Sequence, residues 1–72
     1  MRTPTRGAVY EDEHTGDLVE CVDSPDTFGV PTHEAENLQI EFETVEEGEW
    51  FTIPVDNFGR GYTKVADSTE GL

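Results

Sequence analysis

The chain has 72 residues and a formal net charge of −13, with seventeen Asp and Glu against four Lys and Arg. Seventy-two residues allow a single domain with a small core, and one cysteine excludes an internal disulfide. Between Gly7 and Gly59 there is no Lys or Arg, while fifteen of the seventeen acids fall there, which excludes binding of duplex phosphates by exchange of counterions.

Low hydrophobicity with high net charge is also the signature of disorder. Here the 33% of hydrophobic residues cluster and alternate, which points to strands instead. Residues 1–6 and 67–72 read as flexible tails, leaving one β domain over 7–66. The first strand opens at Ala8-Val9-Tyr10. Glu13-His14-Thr15-Gly16 supplies turn chemistry, and Leu18-Val19-Glu20-Cys21-Val22 returns as the second half of a hairpin. Ser24-Pro25-Asp26 is a turn, and Thr27–Val30 is expected as a brief strand. Pro31–Asn37 is either one helical turn with Thr32 as N-cap or a plain loop.

The clearest strand is Leu38–Glu43, with Leu38, Ile40 and Phe42 on one face and Gln39, Glu41 and Glu43 on the other. Glu46-Glu47-Gly48 makes a hairpin loop. In Trp50–Val55, Phe51, Ile53 and Val55 share a face, and Pro54 requires an edge position or an amide site turned away from a neighbour. Asp56-Asn57 and Gly59-Arg60-Gly61 bracket Phe58 as turns, and Tyr62–Val65 is the last strand.

Five or six short strands without a long amphipathic helix predict an all-β fold. A closed barrel or a curled antiparallel sheet removes unpaired edges and makes one core. The expected core is Val9, Leu18 or Val19, Val22, Phe28, Val30, Leu38, Ile40, Phe42, Phe51, Ile53, Val55 and Val65. The SH3-like barrel is the first expectation. The hairpin opening and the WFTIPV strand with its Gly-rich turn are similar to the half-barrel of the PRC type.

Catalytic chemistry has little support. Cys21 as a nucleophile needs a base beside it, and nothing in the spacing brings His14 or His33 there; a small buried hydrophobe is the plainer reading. Cys21, His14 and His33 are too few and scattered for structural zinc. Glu11–Asp17 has carboxylates at alternate positions, yet Val22 stands where a calcium loop needs its bidentate Glu. Gly59-Arg60-Gly61 lacks the Lys-Ser/Thr pair of a phosphate loop. No cofactor, metal or catalytic site is therefore expected.

The near-absence of lysine with abundant acid resembles the composition of haloarchaeal proteins and those of their viruses. That resemblance implies a surface acidic on every side as an adaptation to molar salt. The alternative is acid as a working surface. Residues of one strand face repeat every ~7 Å, close to the phosphate repeat of a DNA strand, and Glu41, Glu43, Glu46, Glu47 and Glu49 give such a row. In size and acidity the chain is similar to anti-restriction and anti-CRISPR proteins that occupy a cationic groove. Trp50, turned away from the core face, is either an interface anchor or a cover packed on Tyr10 or Tyr62.

The function expected from these residues is non-enzymatic protein–protein contact, through Trp50, Tyr10, Tyr62 and the acids from Glu41 to Glu49. The chain would be a minor component of a larger assembly, a virion or a regulatory complex in a halophilic host; the alternative is a DNA-mimic inhibitor. The partner is a basic protein or a second copy, with no nucleic acid or membrane bound directly. No apolar run follows Arg2 and Arg6 as a signal peptide requires, and none approaches the ~20 residues of a membrane span, so a cytoplasmic or virion setting is expected.

Overall fold

The computed structural model describes residues 2–72. Five strands, β1 (Val9–Asp12), β2 (Leu18–Asp23), β3 (Gln39–Thr44), β4 (Trp50–Pro54) and β5 (Tyr62–Ala66), form one antiparallel sheet in the order β4-β3-β2-β1-β5. Two one-turn helices interrupt them, α1 (Thr32–Ala35) before β3 and α2 (Val55–Phe58) before β5, and a 3-10 turn at Thr69–Gly71 ends the chain. No helix among the described residues is long and apolar enough to cross a membrane.

The all-β expectation holds in its curled-sheet form, and the closed SH3-like form does not. The two edge strands β4 and β5 do not pair. The reason lies in Val55–Phe58. Expected as the end of a strand and a following turn, it is one helical turn whose Val55 and Phe58 are both buried, and it stands where a fifth pairing would have closed the sheet. The curl is still strong. Tyr62 on β5 stacks on Phe42 of β3 with ring centroids 5.4 Å apart, although β2 and β1 lie between their strands.

Alternation along each strand makes two faces. The inner face carries Tyr10, Val19, Cys21, Ile40 and Phe42, which form one core cluster with Ala8, Val55 and Phe58; Leu38, Phe51, Ile53 and Tyr62 pack against it half-buried. Phe42 is the hub, with Tyr10, Phe51, Phe58 and Tyr62 all within 6.3 Å between centroids. Offset and edge-on ring pairs of this kind add to the area they bury.

Four expected core residues lie elsewhere. Phe28 is 95% exposed, because Thr27–Val30 is a turn and not a strand. Asp26 Oδ1 accepts the Phe28 N–H at 2.9 Å, and Gly29 takes φ 77°, a left-handed value that suits glycine. Val30, in that same turn, is only half-buried. Val22 falls in a β-bulge between Cys21 and Asp23 and is half-buried. Val65 is on the outer face and 45% exposed. Of the Leu18/Val19 pair, Val19 is the core residue.

The helical alternative for Pro31–Asn37 is the one found. Thr32 opens α1 instead of capping it; Pro31 holds the cap position without a side-chain bond, which suits a residue with fixed φ.

The segments expected as tails both touch the sheet. Thr5 N–H donates to the Tyr10 hydroxyl at 2.8 Å, Pro4 is buried, and the Arg2 guanidinium lies 5.0 Å from the Phe58 ring centroid, within the range of a cation–π contact. At the other end Lys64 Nζ meets Asp67 Oδ1 at 2.6 Å. Thr69 borders a hollow on the outer face with Glu20, Glu43, Thr44, Val45 and Gly48.

Candidate functional site

The outer face of the sheet is where the acid concentrates. Register places Val9 opposite Glu20, Glu20 opposite Glu43, and Glu43 opposite Trp50, a row running across four strands. One step along, Asp23 faces Glu41 and Glu41 faces Thr52. Two like-charge pairs thus stand directly opposite on β2 and β3, an arrangement that weakens a sheet. The cations do not relieve it. Among the described residues Arg60 pairs with Asp56 at 3.2 Å and Lys64 with Asp67, while Arg6 donates from Nε to the Val22 carbonyl.

Removing one charge of such a pair is therefore expected to stabilise the fold. Glu43→Gln should raise stability by roughly 0.2–1 kcal/mol at low salt, with the gain shrinking towards zero near 1 M KCl. Urea melts of the two proteins at 20 mM and 1 M salt check this; a variant less stable at low salt would contradict it.

Trp50 ends the row and is 64% exposed. The residues proposed to receive it, Tyr10 and Tyr62, lie on the opposite face. Tyr10 is 3% exposed and edge-on to Phe42 and Phe58, with its hydroxyl taken by Thr5. Tyr10 is thus a core residue and not an outward one. Tyr62 is half-buried in the same aromatic stack; burial first and the Asp12 carboxylate second hold its hydroxyl above the ordinary 10.0. Glu41 and Glu43 sit on the outer face as expected, half-buried. Glu46, Glu47 and Glu49 line a second hollow at the β3–β4 hairpin with Asp17, Leu18 and Thr44.

Two features were not legible as sites. Phe28 stands exposed on the β2–α1 connection; the Pro25-Asp26…Gly29 turn chemistry was the signal that it leaves the core. A cleft in the unsealed seam gathers Asp12 and His14 from the β1–β2 end, Ile53 from β4, Asn57 from α2, and Arg60, Gly61 and Tyr62. Gly61 makes room for the imidazole, since a Cβ there would stand 3.0 Å from His14 Cε1. His14 is itself an exposed turn residue whose N–H donates to Asp12 Oδ1.

Cys21 is buried. Desolvation first, then the Asp23 carboxylate, with Glu20 adding and Arg6 opposing, push its thiol from 9.0 to about 11. A thiol so placed is protonated at neutral pH and is a poor nucleophile. Because the folded value lies above the unfolded one, the native state holds its proton more tightly. The contribution to stability is complete below pH ~9 and is lost as pH rises through 11. Labelling by a disulfide reagent at pH 8 should then proceed only through unfolding, so its rate should rise with denaturant. A fast stoichiometric reaction of the native protein would contradict the burial.

Among the described residues no three His, Cys, Asp or Glu side chains converge as a metal site. Comparison with protein-family models, with curated proteins and with solved structures found no match to this chain.

Proposed function

We propose that this is a non-enzymatic protein–protein interaction module, a minor component of a larger assembly such as a virion or a regulatory complex, which docks through its acidic outer face. The observation that carries the reading is the row Glu20–Glu43–Trp50. Like charges set opposite one another weaken the sheet that holds them, and an indole left 64% exposed beside them is the residue type most enriched at binding hot spots. A cationic partner would relieve the repulsion and cover the indole together. The same acid suits a halophilic archaeal or viral host, where salt screens what no cation among the described residues neutralises.

Within this reading the alternative partner is the DNA-binding groove of a nucleic-acid enzyme. The two parallel acid pairs, Glu20 with Glu43 and Asp23 with Glu41, favour it, since two rows of charge imitate two phosphate positions better than one.

Replacing Glu41, Glu43, Glu46 and Glu47 by Lys tests both. The fold should persist by circular dichroism while binding to a basic partner is lost. Competition with duplex DNA for that partner, weakening steeply with salt, separates the mimic from the general module. Partner binding unchanged by the four reversals would overturn the outer-face reading.

A further inference from the structure

We infer that the free edge of β4 is a strand-addition site, and that its occupant is an extended segment of a partner protein with alternating cationic and apolar residues. This rests on the reading of the outer face as a docking surface and names what docks there.

The backbone supplies the first argument. The β3–β4 ladder is bracketed by Thr44 N–H to the Glu49 carbonyl and Val55 N–H to the Leu38 carbonyl, both 2.9 Å. Bonded and non-bonded pairs alternate in an antiparallel ladder. With Phe42 opposite Phe51 and Ile40 opposite Ile53, those pairs exchange bonds, and Trp50, Thr52 and Pro54 turn their main-chain groups to the free side. Pro54, with no N–H to offer, sits at an outward position and costs β3 nothing. Among the described residues the N–H and C=O groups of Trp50 and Thr52 have no partner strand, and they form the template for another one.

The two edges of the sheet are unlike. β5 carries Lys64, held by Asp67, and runs into the C-terminal turn; lysine is a common guard of edges. β4 has no charged residue and only its terminal Pro54 as a guard.

The side chains specify the occupant. A strand paired with Trp50 and Thr52 places alternate residues on the outer face, over the indole and towards Glu41 and Glu43, which lie opposite Thr52 and Trp50. Cationic side chains fit there by charge and by cation–π contact. The intervening residues fall on the inner face beside Phe51 and Ile53, both half-buried, where apolar side chains complete the core. A second copy of this chain is the wrong occupant, because two bodies of −13 each repel and neither brings a cationic strand.

The test uses the whole chain and three soluble peptides at 50 mM salt. One alternates Lys and Val, one has the same residues in blocks, and one is the alternating peptide N-methylated on alternate amides. Trp50 is the only tryptophan, so its emission reports binding, and amide exchange locates it. The expected result is saturable binding of the alternating peptide, with slowed exchange at Trp50 and Thr52 and at least tenfold weaker binding by the other two. Thr52→Pro, which removes one outward N–H, should weaken the alternating peptide equally; if that variant unfolds, the N-methylated peptide decides alone. Equal binding by blocked or methylated peptides overturns strand addition but leaves the acidic face as a docking surface. No response to any of the three overturns both.

Discussion

Phe42→Ala is expected to leave the chain largely unfolded at 25 °C in low salt. Phe42 is fully buried and touches four other rings, so its loss opens a cavity at the centre of the core and not at its margin. Truncation of a buried Phe costs about 3–5 kcal/mol. A 72-residue domain at ordinary stability per residue has only about 4–11 kcal/mol in hand, and the opposed carboxylates on β2 and β3 draw on that. Thermal melts followed by circular dichroism should show the native transition lost or shifted far down. Phe42→Leu, which keeps most of the volume, should retain it. A Phe42→Ala protein melting within a few degrees of the parent would mean that the aromatic stack is not what holds the curl.

Trp50→Ala is expected to do the opposite: little to stability and much to binding. Its side chain lies on the outer face, opposite Glu43 and outside the ring cluster, so folding should change by no more than about 0.5 kcal/mol. Loss of a hot-spot aromatic from an interface costs about 2 kcal/mol or more, roughly thirtyfold in affinity. Titration calorimetry with a cationic partner and a urea melt of the same preparation separate the two effects. Unfolding of the variant would make Trp50 a structural cover, and unchanged affinity would place the interface elsewhere, with exposed Phe28 the next residue to replace.

The strands were legible where local pattern and tertiary packing agree. Leu38–Glu43 alternates without interruption, and Ile40 and Phe42 are buried as that alternation requires. Pro54, through its missing N–H, pointed to an edge strand or to an amide site turned away from a neighbour, and β4 is an edge strand. The pattern misled where a turn intervened. Phe28 reads as core when Thr27–Val30 is taken as a strand, but the Asx turn from Asp26 and the left-handed Gly29 carry it outward. Phe58 looked like a residue between turns, although a helical turn of four residues brings it inside; one turn is too short to show a periodicity. Tyr10 is expected at the interface beside Trp50, and only the return of the Thr5 N–H to its hydroxyl shows how a tyrosine can be buried there.

Of the outer face, the acidity was legible and the arrangement was not. That Glu20 meets Glu43 and Asp23 meets Glu41 depends on the β2–β3 register and on the bulge at Val22, neither of which composition contains. The seam cleft likewise joins residues from Asp12 to Tyr62 that come together only through the curl.

The central claim is that the acid is a working surface carried by a core able to hold it. Circular dichroism and Trp50 emission of the purified chain across a KCl series, from tens of millimolar to several molar, test this most directly. The aromatic core predicts a cooperative urea transition already at tens of millimolar, with stability rising as salt screens the opposed carboxylates over a Debye length of ~10 Å at 0.1 M. A chain that gains structure only above about 1 M KCl, where that length is near 3 Å, would contradict the claim and make the acid an adaptation to solvent.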